Sequence, residues 1–211
     1  MLAHVLQAEG SPCPTLVLPA EALPSDEPRL VHALAAIRRW MRAIGAGHVL
    51  KFAVVGRSST AEHDLEYRFV QCLPGDESRF ELRGSCGHSV LAAVAASAER
   101  GLIPRLRPGS RVRVVVRNNG NSIRCRVDEV VDGTVVFTVR FARRDRPDLV
   151  DLLLLGEPRT EIRYAGGRVL ASLVSMGNPY LFVDARELGV DSSAALFAGR
   201  ERLFDVLSRC A

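Results

Sequence analysis

The sequence predicts an α+β fold in which a curved antiparallel sheet wraps around a buried central helix, and three observations carry that expectation. Residues 89–98 are apolar or small on nearly every side, so a helix there has no polar face to offer water and must be enclosed. Runs that alternate apolar and charged residues flank it, with Leu65, Tyr67 and Phe69 set against Glu66 and Arg68, and Val112 and Val114 against Arg111 and Arg113. Asn118-Asn119-Gly120-Asn121 and Asp132-Gly133 then break the later runs as hairpin turns, which reverse the chain between neighbouring strands.

The elements follow in order. A short strand at 15–18 leads to Ser25-Asp26-Glu27-Pro28, where capping side chains and a first-turn proline start a helix. Leu30, Leu34, Ile37, Met41 and Ile44 recur along it at helical spacing until Gly45 and Gly47 end it, which makes it an amphipathic outer helix. Strands are expected at 49–56, 64–73 and 78–82, the enclosed helix at 87–100, and strands again at 110–117, 122–130 and 134–141. An amphipathic stretch at 148–155 leads to strands near 168–174 and 179–184 and a last helix at 193–208. Residues 1–167 thus read as a complete lobe and 168–211 as part of a second, too short to enclose a helix of its own. Leu170, Leu173, Leu181 and Phe182 would then be left for another copy of the chain to cover, so a homodimer is expected.

Composition excludes several classes. With 211 residues, 47% of them hydrophobic, the chain can bury a real core. The net charge is only +4, and the arginines are scattered through alternating strands, as on a solvated sheet face; no nucleic acid is expected. No apolar run approaches the ~20 residues that span a bilayer, and Met1-Leu2-Ala3-His4 opens no secretory signal, so no membrane association and a cytoplasmic location are expected. Five cysteines without a C-x-x-C pair read as free thiols, with neither a disulfide framework nor a structural zinc site. His4, His32, His48 and His63 lack ligand spacing. Phosphate loops, dinucleotide fingerprints and serine elbows are missing too.

Two residues carry the chemistry. Lys51 is the single lysine among 28 Lys and Arg residues, and it sits in the apolar run 49–55. An amine desolvated by its strand has its pKa lowered toward neutrality and exchanges protons, which a guanidinium does not; the alternative is a strand lysine whose head reaches solvent. Gly84-Ser85-Cys86-Gly87-His88-Ser89 opens the enclosed helix and puts Cys86 at its first turn. Free N–H groups there favour a thiolate and cradle a carboxylate, so Gly87, His88 and Ser89 become candidate substrate ligands. The alternative is a small cysteine packed before a helix. His88 adjoins Cys86 in sequence only, which does not by itself make a catalytic pair.

Lys51 in a strand, Cys86-Gly87 ahead of an Ala-rich helix ending Glu99-Arg100-Gly101-Leu102-Ile103, and Gly177-Asn178-Pro179 followed by Phe182-Val183-Asp184-Ala185 together resemble PrpF-type proteins of the diaminopimelate-epimerase-like superfamily. Methylaconitate and methylitaconate isomerases and oxalomesaconate tautomerase belong to it. The resemblance implies two lobes, each a sheet around a central helix, with cofactor-free proton transfer between them. It puts Lys51 and Cys86 at the acid/base positions, Gly87 and His88 at an anion site and Asn178 on a turn facing the cleft. This chain departs from the pattern in three places. Glu9-Gly10-Ser11-Pro12-Cys13-Pro14-Thr15 stands where an Arg-Gly-Gly-Thr-Ser-Lys-Gly type of motif is usual, Ser85-Cys86-Gly87-His88 replaces Asn-Cys-Gly-Asn, and the sequence stops at Ala211, short of a full second lobe. The reading is an isomerase or tautomerase that moves a proton beside a carbonyl or carboxylate of an unsaturated substrate less anionic than a tricarboxylate. A cyclase of specialised, polyketide-like metabolism or a non-catalytic small-molecule binder are the alternatives.

Overall fold

The structure, a computed structural model, describes all residues except Met1, Pro74, 143–147, Ala165, Gly177 and Ala211, and the side chains of Met176, Arg209 and Cys210 are likewise outside the description. The chain divides into two units, Met1–Arg144 and Asp145–Ala211.

The first unit holds one sheet in the order β1 (His4–Leu6), β2 (Thr15–Pro19), β3 (Lys51–Arg57), β4 (Leu65–Cys72), β6 (Arg111–Val116), β7 (Ser122–Val131) and β8 (Thr134–Ala142), with β5 (Phe80–Glu81) paired to the end of β4. The sheet is mixed, which corrects the antiparallel expectation: β2 runs parallel to β3 and β4 parallel to β6, and the other pairs are antiparallel. The cause is the two helices. α1 (Glu27–Ala43) links β2 to β3 and α2 (Gly87–Glu99) lies between β4 and β6, and each crossover returns the chain in its starting direction.

The period-2 alternation assigns one face of the sheet to each helix. Leu16, Leu18, Phe52, Val70 and Cys72 pack with Leu30, Leu34 and Met41 of α1. Val17, Ala53, Val55, Leu65, Tyr67, Phe69, Val112, Val114, Ile123 and Cys125 pack with Val90, Ala93 and Val94 of α2. Residues from β2 through β8 converge on one helix, so the sheet curls around it. Each fully buried large side chain contributes roughly 1.5–3 kcal/mol. Asp26 caps α1 by accepting from the Arg29 N–H at 3.0 Å. Ile44, read as part of the apolar stripe, is exposed beyond the last helical turn. α2 is less enclosed than its composition predicts: Leu91, Ala95 and Ala98 form a half-buried stripe, although Glu99 is its only exposed residue. The β7–β8 turn is as expected, with Asp132 at φ 48° and Gly133 at φ 79°, the left-handed pair of a tight hairpin. Asn118, expected only as a turn residue, instead extends the ladder. Its amide accepts from the Phe69 N–H and donates to the Phe69 carbonyl, each at 2.8 Å, and also donates to Leu82.

The second unit is a three-stranded antiparallel sheet in the order β11 (Asn178–Val183), β10 (Gly167–Met176), β9 (Thr160–Tyr164), followed by α3 (Ser193–Ala198) and α4 (Arg200–Cys210). β9 was not anticipated, and it pairs with β10, so residues 145–167 group with this unit instead of closing the first lobe. The single last helix is two, divided at Gly199. Leu170, Tyr180 and Phe182 are exposed, and Leu173 and Leu181 are half-buried. Among the described residues no helix is long and apolar enough to cross a membrane.

Candidate active site

Lys51 opens β3 between Thr15 of β2 and Gln71 of β4, and paired residues share a face, so its side chain stands on the side of the sheet that α2 covers. Its residue exposure is 7%. The buried Nζ donates to Ser11 Oγ at 2.9 Å, and Ser11 Oγ donates in turn to the Cys13 carbonyl at 2.8 Å. With its own proton committed, the Ser11 oxygen presents lone pairs to Nζ, which meets the demand that a buried polar group be hydrogen-bonded.

Cys86 is the N-cap of α2 and makes no side-chain cap. Tyr67, fully buried on β4, donates its hydroxyl to the Cys86 carbonyl at 3.3 Å. Burial, and next the nearby Cys86, push the Tyr67 phenol well above its ordinary pKa, while hydrogen bonding with Ser89 and Cys86 pulls the other way. Ser89, fully buried one turn into the helix, shares a 3.0 Å hydrogen bond with Thr15. His88 is half-buried, and its Nε2 lies 3.6 Å from where a Cβ on Gly10 would stand; Gly10 has φ +74°. At Gly87, a Cβ would come within 3.2 Å of the Phe141 ring, so glycine lets that ring close over the helix mouth.

The structure therefore gathers Lys51, Cys86, Gly87, His88 and Ser89 at the N-terminal end of α2, two links apart: Thr15, the strand neighbour of Lys51, bonds Ser89. The loop between β1 and β2 supplies Ser11 to Lys51 and Gly10 to His88. Asn178 opens β11 in the second unit, half-buried and in register with Met176, and Gly177 of the same motif lies outside the described residues. Ser11, Thr15, Tyr67 and Phe141 escaped the sequence reading. For the first two a signal existed, since they fall in the segment 9–15 that departs from the usual basic motif; the others look like ordinary inward-facing strand residues.

Of the remaining described cysteines, burial pushes the Cys72 thiol up to about 11 and Cys125 to about 12. Neither supplies a thiolate near neutrality. No group of three or more His, Cys, Asp or Glu side chains among the described residues is arranged to hold a metal ion. Two surface hollows lie elsewhere, one around Arg57, Leu102 and Arg111 beyond the C-terminal end of α2 and one over Arg113, Ser122 and Arg124 on the outer side of β6 and β7.

Comparison with known proteins covers the same region. Residues 41–142, which include Lys51, α2 and Phe141, match the PrpF protein family. The chain is 25% identical over 174 residues to the "Putative isomerase YraM" of Bacillus subtilis (strain 168), covering 74% of this chain and 47% of that protein. It is 33% identical over 111 residues to the "Putative isomerase YbhH" of Escherichia coli (strain K12), covering 49% of this chain and 31% of that one. The chain thus spans less than half the length of both relatives. Among solved structures, a hydroxyproline epimerase from Agrobacterium vitis superposes with a TM-score of 0.53 over 84% of this chain and 50% of its own, at 17% identity. That likeness establishes the fold. Residues 41–142 are thus similar to PrpF proteins, and the chain shares the α+β fold of that epimerase.

Proposed function

We propose that this chain is an isomerase or tautomerase that moves a proton beside the carbonyl or carboxylate of an unsaturated small molecule, without a cofactor. The observation that supports the reading is that Lys51 pairs in register with Thr15, whose hydroxyl shares a hydrogen bond with Ser89, three residues after Cys86 at the start of α2. The similarity to two bacterial proteins named as isomerases supports the isomerase class.

In this reading the N–H groups of Gly87, His88 and Ser89 hold the substrate carboxylate at the positive end of α2. The Lys51 amine takes a proton from the carbon α or γ to it, the electron pair shifts across the allylic system, and the Cys86 thiol delivers a proton to the other end. Solvent then returns a proton to the thiolate and removes one from the ammonium. The loop 9–15 brings Ser11 to Lys51 and contains no cation, which favours a substrate with few carboxylates. A homodimer, with the exposed Leu170 and Phe182 as its contact, completes the proposal.

The test is NMR of crotonate in D2O with the 211-residue chain. The wild type should exchange the γ-protons. Lys51→Arg and Cys86→Ser should each slow exchange by about 10²–10⁴-fold while the far-UV spectrum and melting transition stay in place. Undiminished exchange in both variants rejects the acid/base roles and favours a cyclase that works by shaping its substrate.

A further inference from the structure

We infer that Phe141 is an apolar wall of this site, and that the substrate it selects carries a planar apolar arm next to its unsaturated carboxylate instead of further carboxylates. The inference deepens the proton-transfer reading and rests on it for the position of the carboxylate. Phe141 pairs in register with Ile123, which is 1% exposed on the α2 side of the sheet, so the phenyl ring stands on that same side. Phe137 and Val139, the alternate residues before it, pack against the core around α2. Phe141 does not share their burial: it is 58% exposed, and its ring edge lies 3.2 Å from the Cβ position of Gly87, the first residue of the helix. An aromatic ring left in water at the mouth of an anion-holding helix end offers a ligand a flat apolar surface beside the carboxylate.

Leu91, one turn after Gly87 and therefore on the same helical stripe, is half-buried and continues that surface, with Ala95 beyond it. The charges point the same way. The β1–β2 loop brings Glu9 and no cation, the Lys51 Nζ is engaged by Ser11, and Glu81 closes the turn before Cys86 by accepting from the N–H groups of Arg83 and Gly84. Among the described residues of these segments the exposed Arg83 is the one other cation; Arg143 and Arg144, which follow Phe141 in sequence, lie outside the described residues. A polycarboxylate would need several cations here, whereas a single carboxylate on an apolar arm needs the helix end and a wall.

Cinnamate and fumarate test this by calorimetric titration, because both are α,β-unsaturated carboxylates without a γ C–H. They bind without turning over, and they differ in carrying a phenyl ring or a second carboxylate. The wild-type chain should bind cinnamate at least about tenfold more tightly than fumarate. Phe141→Ala and Phe141→Leu should weaken cinnamate about three- to tenfold and leave fumarate within twofold, and Phe141→Tyr, which keeps the ring, should restore cinnamate. Equal affinity for the two probes, no binding of either, or an unchanged preference in the folded Leu variant overturns the inference. Cinnamate preference without any crotonate exchange would remove the proton-transfer reading and leave the wall; exchange without the preference would do the reverse.

Discussion

Tyr67 and Lys51 show how differently single residues announce themselves. Lys51 stands out because arginine serves everywhere else, and its burial follows from the apolar run around it. Tyr67 is indistinguishable in pattern from Leu65 and Phe69, its neighbours on the inner face of β4, and only the packed structure aims its hydroxyl at the Cys86 carbonyl. That carbonyl also accepts from the Val90 N–H at 3.1 Å, so Tyr67→Phe should cost no more than about 0.5–1.5 kcal/mol in urea unfolding. Its clearer signature should be a changed rate of iodoacetamide labelling at Cys86, because the helix mouth loses a tether; an unchanged rate would reduce Tyr67 to packing. The buried thiols make a second prediction. Cys72 and Cys125 hold their protons until about 11 and about 12 in the folded chain, against 9.0 ordinarily. Above pH 9 the unfolded state releases protons that the folded state keeps, so both thiols should lower stability as pH rises through that window. Urea midpoints measured from pH 8 to 11 should fall, and fall less steeply in Cys125→Ala than in the parent chain.

Among the elements, α2 was the most legible and the most informative where it differed. Leu91 and Val94 are equally apolar in the sequence, yet Val94 is fully buried whereas Leu91 lies on the half-buried stripe. Val94→Arg should therefore abolish folding, seen as loss of soluble chain with a cooperative transition, while Leu91→Arg should still fold at reduced stability. Composition names an enclosed helix but cannot say which stripe is left half-covered, since that depends on how far the sheet curls. A second element-level prediction concerns the β4–β6 junction. The Asp64 carboxylate accepts from the Arg113 backbone N–H at 2.7 Å and from its guanidinium at 2.8 Å. The Arg113 side chain holds Asp64 below its ordinary 3.8. A depressed carboxyl contributes stability that is present above its ordinary range and lost as pH falls through the folded value. Asp64→Asn should lower the melting temperature at pH 7 and bring parent and variant together as the pH drops below 3.8.

For the whole molecule, the proposed association is checked by light scattering. Leu170 and Phe182 are exposed on the second unit's sheet, so the parent chain should scatter as a dimer, and Phe182→Glu should shift it toward the monomer; a parent that stays monomeric at high concentration removes this contact from the proposal. Several features were determined by the sequence without help from packing: the enclosed helix, the capped outer helix at Asp26, the Asp132-Gly133 hairpin, a lysine within an apolar strand and a cysteine at a helix start. Each depends on short-range chemistry, whether periodicity, a cap, a left-handed turn or a charge in an apolar run. Strand direction did not, because a period of two is the same in parallel and antiparallel ladders, and only the crossovers through α1 and α2 make β2–β3 and β4–β6 parallel. The unanticipated β9, the half-covered stripe of α2, the Ser11 hold on Lys51 and the Phe141 ring over Gly87 also belonged to the tertiary structure. The last three join residues tens of positions apart or depend on what remains uncovered, and neither property is written in any local run of the chain; β9 pairs locally with β10, and its short run was not recognised as a strand.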